Sequence, residues 1–340
     1  VPASFEANQR KDLEAALRDA GIVTDNVALI DEPNAAFLSY IFDASRGLND
    51  SKLLDLLRDR PINIMVYDFG AGTCDVSILC LSDSANGIES RNLAVSQFTA
   101  LGGDDIDRAL ARDVLLPQLI EASAPAQPSQ RDIDERILPR LQPAAELLKI
   151  RLLQHARDKK IFTVEALKRA GDLRVTALDI ESFKIGGENL RLPKPGANLI
   201  DLANALAPFT SLKMPKDNRI AHVFAPVQDV MEKSGLSADE LDGVLFIGGS
   251  SENVIVRNTV MTMLGGNVEA IVPKDLRSHV SKGAALHSYW FNGCGFDFIQ
   301  PITSEPILAL VRGGAFETIM PASTPLPSKV SLGEDLIVEN

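Results

Sequence analysis

Apolar positions along the chain follow two kinds of rhythm. Residues 7–20 (ANQRKDLEAALRDA) place apolar side chains at helical spacing among charged ones, and Gly21 stands where a helix C-cap is expected. Ile62–Tyr67 and Val76–Leu81 are instead continuous apolar runs, the pattern of strands buried on both faces, and Leu93–Ala100 is a third. The first two are joined by a short turn, which predicts antiparallel pairing. Upstream, Val27–Ile30 reads as a short buried strand, and Pro33 suits the first turn of a helix running to about Phe42. This start predicts a strand–helix–strand–helix unit.

Further along, Leu101-Gly102-Gly103-Asp104-Asp105 opens a helix, residues 120–130 form a Pro/Ala/Ser loop, and a long helix covers about 131–157. Segments 160–167 and 172–180 look strand-like, while 184–218 is punctuated by Gly and Pro and takes no assignment. A helix at about 219–235 leads to a strand at Gly243–Ile247, then Gly248-Gly249-Ser250-Ser251 and another helix. The run Gly283-Ala284-Ala285 marks a helix that packs closely on a neighbour. Toward the end, Leu308–Arg312, Gly313-Gly314 and Ala315–Met320 carry a hairpin signal, followed by a Pro-rich piece at 321–327 and a further strand. This tail reads as the start of a separate β-rich domain.

Composition narrows the class. With 340 residues and 45% hydrophobic content, the chain can bury a sizeable core in more than one domain. A net charge of −12 disfavours a nucleic-acid partner, though it leaves room for a nucleotide held locally by backbone N–H groups. Cys74, Cys80 and Cys294 form no CxxC pair. Cys74 and Cys80 lie in strand-like runs, so buried thiols in a reducing, cytoplasmic setting are expected. No apolar run approaches membrane-spanning length, so no membrane partner is expected. His155, His222, His279 and His287 are scattered and read as surface or helix residues. The chain begins at Val1 without an initiator Met, which suggests a piece of something longer.

The chemistry concentrates in VYDFGAGTCDVSI (66–78), a glycine-rich turn with Asp68 before it and Asp75 after it. A strand follows the turn, so it is neither a P-loop nor a Rossmann fingerprint, both of which open a helix. Gly70 and Gly72 allow backbone N–H groups to converge on an anion, Thr73 adds a hydroxyl, and the two aspartates suit a hydrated Mg²⁺. An ordinary hairpin with solvated aspartates accounts for the same residues. Glu32 is either an acid favoured by a helix N-terminus or a carboxylate that orients water for phosphoryl transfer. Gly248-Gly249-Ser250 is either a tight βα turn or a close approach of backbone to ligand.

Taken together, these segments resemble the Hsp70 (DnaK-type) chaperone family, of the α/β actin-like ATPase (ribonuclease H-like) fold. VPASFEANQR, IDEPNAAFLSYIF, VYDFGAGTCDVSIL, LGGDDIDRAL, VLFIGGSSENVIV and ILALVRGGAFETIMPASTPLP are similar to family motifs in the same order, from Val1 to about Val338. Residues 184–218 show no clean match. The resemblance implies a remnant of the first lobe at 1–45 and the second lobe of a nucleotide-binding domain at 46–295. A subdomain would be inserted at 110–218, with a linker and the start of a peptide-binding β-domain at 296–340. The family's first phosphate loop and catalytic lysine would precede Val1.

For the residues, the resemblance implies ATP or ADP with Mg²⁺ beside Asp68 and Asp75, and phosphate at Gly70, Ala71, Gly72 and Thr73. Glu32 would be a water- or metal-orienting carboxylate. Glu146 and Lys149 would face ribose and adenine, with Gly248, Gly249 and Ser250 on the other side of the nucleoside. The implied partners are unfolded or extended peptides, J-domain co-chaperones and nucleotide-exchange co-chaperones. Several positions depart from the family pattern. Ala71 replaces a glycine, Asn34 a Thr, Ile150 and Leu153 an Arg and a Ser, and Glu252 an Arg that stacks on the base; Arg151 is a candidate to compensate. Two readings follow: a chaperone ATPase coupled to peptide binding, and a non-hydrolysing scaffold relative with an altered adenine pocket. A sugar kinase or actin-type filament protein would leave the β-rich tail unexplained.

Overall fold

The computed structural model describes the chain except residues 6, 23–28, 85–86, 97–98, 124–127, 172, 186, 215–220, 267, 296–298, 301–302, 304–305, 312–313, 322–323 and 325–340. Helices α1 (Ala7–Asp19), α2 (Glu32–Ser45) and α3 (Lys52–Asp59) precede an antiparallel meander of β1 (Ile62–Phe69), β2 (Cys74–Ser84) and β3 (Gly87–Val95). Helix α4 (Gly103–Leu110) runs through a π-helical turn into α5 (Leu116–Ala122). Helix α6 (Gln130–Asp132) passes a second π-helical turn into the long α7 (Leu138–Asp158). Next come α8 (Val164–Ala170), the short strands β4 (Arg174–Thr176), β5 (Ile180–Ile185), β6 (Glu188–Leu192) and β7 (Gly196–Asn198), and helices α9 (Leu199–Leu206) and α10 (Ala225–Ser234). Strand β8 (Gly243–Ile247), α11 (Val254–Leu264), β9 (Ala270–Ile271), α12 (His279–Cys294), β10 (Ile299–Gln300), β11 (Ile307–Leu310) and β12 (Phe316–Met320) follow, with short 3₁₀ turns at Ala238–Glu240 and Gly249–Glu252.

Six strands form one mixed sheet in the order β10-β3-β2-β1-β8-β9, with β8 parallel to β1. The continuous apolar runs are explained by burial on both faces. Met65, Tyr67 and Phe69 of β1 join a core with Cys74, Val76 and Ile78 of β2 and the buried sides of α4, α7, α9 and α11. Ile62, Ile64 and Val66 alternate to the opposite face, where they pack on Phe37 and Tyr40 of α2 and Leu53 and Leu57 of α3. Each fully buried Ile, Leu or Phe contributes roughly 1.5–3 kcal/mol. By the same alternation Asp68 falls on the α2 face. Asp75 lies directly opposite it in the β1–β2 register, so the two carboxylates share that face.

The α2 face is closed by α12, which crosses α2 at backbone contact distance. A Cβ at Gly283 would lie 1.6 Å from the Ala35 carbonyl oxygen, so only glycine fits there, as the small-residue run predicts. His279, on the same helix, is buried with Nδ1 2.8 Å from Ser39 Oγ.

Several sequence expectations need correction. Residues 1–5 and 29–30 are not in strands, so among the described residues only the two helices of the initial strand–helix–strand–helix unit are seen; Val27 and Ala28 lie outside the described residues. The third strand is Gly87–Val95 rather than 93–100, because its register is set by pairing with β2. Segment 160–167 is not a strand and its second half is helical: Thr163 caps α8 by accepting the Ala166 N–H at 3.1 Å, a cap signal that overrides local strand propensity. The unassigned 184–218 region holds part of β5, then β6, β7 and α9, the last started by an Asn198–Asp201 capping box. Cys74 is buried but Cys80 only half-buried. His222 is neither surface nor helical; its ring is buried, with Nε2 2.7 Å from the Ser211 carbonyl and Nδ1 accepting the Phe224 N–H. The tail hairpin forms as expected, with β11 and β12 antiparallel, while most of 321–340 lies outside the described residues.

Candidate functional site

The β1–β2 turn is built tightly. Gly70 N–H donates to the Thr73 carbonyl at 3.0 Å, and the first N–H groups of α4 reach back to the turn. Gly103 N–H donates to the Gly70 carbonyl at 3.1 Å and Asp104 N–H to the Ala71 carbonyl at 2.8 Å. A Cβ at Gly102 would sit 2.0 Å from the Ala71 carbonyl oxygen, so this glycine allows the helix start to dock on the turn. Sequence reasoning read Gly102 and Gly103 as a helix start and missed their contact with the turn. None of Gly70, Ala71 or Gly72 takes a positive φ, so the alanine at position 71 carries no backbone strain.

Behind the turn, three carboxylates come together. Asp68 and Asp75 face each other across the hairpin, and Glu32 reaches them from the first turn of α2. Burial, followed by the neighbouring charges of Glu32 and Asp75, pushes the Asp68 carboxyl up to about 7. Burial also raises Glu32, with Asp75 adding to the effect. Asp75 is raised by burial and held back by hydrogen bonds from Ser4 and Thr73, the Ser4 Oγ lying 2.6 Å from Asp75 Oδ1. Ser4, 71 positions away, is a partner that carries no signal in the sequence. Gly248 joins this group to β8: with φ +80 it passes so close that a Cβ would lie 2.5 Å from Asp68 Oδ1 and from the Phe69 carbonyl oxygen.

On the other side of Gly248 a cavity of about 390 Å³ opens, within the range of small-molecule sites. One wall is a stripe of α7: Glu146, Lys149, Ile150, Leu153, Gln154 and Arg157, spaced to share a helix face. The facing wall is the Gly248–Asn253 turn with Leu276, Arg277 and Val280, and the inner end is formed by Ala71, Gly103 and Ile106. Six of the residues implied to contact nucleotide therefore line one cavity, Ala71, Glu146, Lys149, Gly248, Gly249 and Ser250, together with Ile150, Leu153 and Glu252, which depart from the family pattern. Glu32, Asp68 and Asp75 form the adjoining acidic group, and Gly70, Gly72 and Thr73 belong to the turn between them.

Lys149 does not present a loose ammonium to this cavity. Its buried Nζ donates to Asp107 Oδ2 at 2.7 Å and to the Gly103 carbonyl at 3.0 Å, tying α7 to α4. Burial lifts the Asp107 carboxyl to about 6 even though Lys149 pulls it down, so desolvation outweighs the ion pair. Arg151 is not the compensating cation: it donates to the Thr176 carbonyl and does not line the cavity. Arg157 and Arg277 do line it. Among the described residues no cluster of three or more His, Cys, Asp or Glu has the arrangement of a ready-made metal site, and no helix is long and apolar enough to cross a membrane.

Comparison with known proteins agrees with this architecture. A family model described as Hsp70 protein matches residues 1–184, more than half of the chain. A curated relative, the "Chaperone protein HscA homolog" of Methylibium petroleiphilum, is 29% identical over 333 residues. That match takes in 96% of this chain and 43% of the relative, so the chain spans less than half the length of the protein it matches. On the family match and the mixed α/β sheet, the chain belongs to the Hsp70 family, with its actin-like ATPase fold.

Proposed function

We propose that the protein is an Hsp70-type chaperone that binds and hydrolyses ATP and couples the nucleotide to binding of extended peptides. The observation that carries the reading is the junction at Gly248, where a nucleotide-sized cavity meets the Glu32–Asp68–Asp75 group. The nucleoside lies between α7 and the Gly248–Asn253 turn, and its phosphates approach the Gly70–Thr73 turn.

The acidic group fits Mg²⁺. It offers hard oxygen donors, and each carboxyl is raised by burial, a cost that a divalent cation offsets. Mg²⁺ keeps several waters and needs only one or two carboxylates, which Asp68 and Asp75, opposite each other in the hairpin, would supply. Asp68 and Asp75 would hold it; when bound it supplies charge neutralisation at phosphate oxygens. Glu32 orients the attacking water, Ser4 and Thr73 keep Asp75 in place, and the Lys149–Asp107 pair fixes the cavity floor. The β11–β12 hairpin, with Leu308, Leu310 and Phe316 exposed, supports a surface for extended apolar peptide.

Glu32→Gln in the full natural chain tests the hydrolytic part. ATP binding should survive while turnover falls roughly a hundredfold or more. The half-exposed Ile150 and the acidic Glu252 in the cavity favour a second reading, a scaffold that keeps the fold without hydrolysis. Parent protein that binds ATP without turning it over would select that reading.

A further inference from the structure

The cavity's outer half poses a problem that its inner half does not. Ile150 and Leu153 form an aliphatic wall, and Glu252 sits across from them, which gives a planar base no obvious partner. Arg277 occupies the same facing wall. Its side chain lies along Gly249: from a Cβ built at 249, Arg277 Nε is 3.5 Å away, Cγ 3.7 Å and Cδ 4.0 Å. The position is set by the loop rather than by the guanidinium. Gly248 N–H donates to the Leu276 carbonyl at 3.1 Å and Arg277 N–H to Asp275 Oδ1 at 3.1 Å.

We infer that Arg277 is a binding residue that stacks its guanidinium on the base, with Ile150 and Leu153 against the base's other face. The inference rests on the nucleotide reading of the cavity. Guanidinium is planar and weakly hydrated, and it stacks on aromatic rings where an ammonium does not. A Cβ at 249 would only touch the arginine stem at van der Waals distance, whereas the branches of a valine there would lift it from the wall. Arg157 also lines the cavity, two helical turns beyond Lys149 on α7, and serves as the comparison for simple positive charge.

The test measures Mg·ATP affinity in the full natural chain for the parent, Arg277→Ala, Arg277→Lys, Arg157→Ala and Gly249→Val. It also records the fluorescence of a bound 2-aminopurine riboside triphosphate, which reports stacking directly. Arg277→Ala is expected to weaken ATP roughly three- to thirty-fold. Arg277→Lys should recover little of this, Arg157→Ala should lose clearly less than Arg277→Ala, and Gly249→Val should follow Arg277→Ala. The emission of the bound analogue should differ between parent and Arg277→Ala. Full rescue by lysine, equal losses from both arginines, or unchanged emission would overturn the stacking role while leaving nucleotide binding intact. No ATP binding by the parent would overturn the nucleotide reading itself, and this inference with it.

Discussion

Gly248 stands with φ +80 against Asp68, so close that any Cβ at position 248 would lie 2.5 Å from the aspartate Oδ1. The contact joins the parallel neighbour strands β1 and β8 at their C-terminal ends, where the acidic group and the cavity meet. Gly248→Ala combines a left-handed backbone with overpacking against the Phe69 carbonyl. It should cost about 3 kcal/mol, read from the urea midpoint at unchanged slope. A loss under about 1 kcal/mol would mean the turn relaxes freely and does not fix the site.

Two glycines of α12 should respond in opposite directions. Gly283→Ala drives a methyl into the Ala35 carbonyl at 1.6 Å, and backbone on both helices resists the shift, so a loss of about 3 kcal/mol or more is expected. Gly293, exposed on the same helix with nothing within 4 Å of its Cβ position, should gain roughly 0.5–1 kcal/mol as alanine. Thermal unfolding of the two variants measures both, and a similar effect from each would contradict the close α2–α12 packing.

Much of this arrangement is legible in the chain itself, and the reasons are local. The runs Ile62–Tyr67 and Val76–Leu81 announce strands buried on both faces, and the short turn between them forces the antiparallel register that pairs Asp68 with Asp75. Pro33 and Gly283 mark a helix start and a helix crossing through their own backbone chemistry. What stays hidden depends on pairing over long sequence separations. Ser4 meets Asp75, Lys149 is consumed by Asp107, and Arg277 reaches a cavity formed by α7, more than a hundred residues away. The third strand is misplaced for a local reason, since its register comes from the hairpin with β2 and not from its own apolar pattern.

The Asp107–Lys149 pair gives a pH dependence with a definite sign. Asp107 titrates at about 6 in the folded chain, above its unfolded value near 3.8, so between those values the folded state holds the extra proton. Stability from this group is therefore present at low pH and lost as pH rises through the window from about 4 to 6, by roughly 2–3 kcal/mol. Urea unfolding in a metal chelator at pH 4.5, 5.5 and 7 should show the decline, and Asp107→Asn should remove that share of it. A slope left unchanged by Asp107→Asn would show that the ion pair with Lys149 at least offsets desolvation.

The central claim is that the Asp68–Asp75 hairpin and the adjoining cavity act as one nucleotide site. Calorimetric titration of Mg·ATP into the full natural chain and its Asp68→Ala variant tests it most directly. The account predicts binding by the parent and a loss of roughly tenfold or more in the variant, equivalent to about 1.4 kcal/mol. Equal affinity in the two proteins, or no binding by the parent, would contradict it.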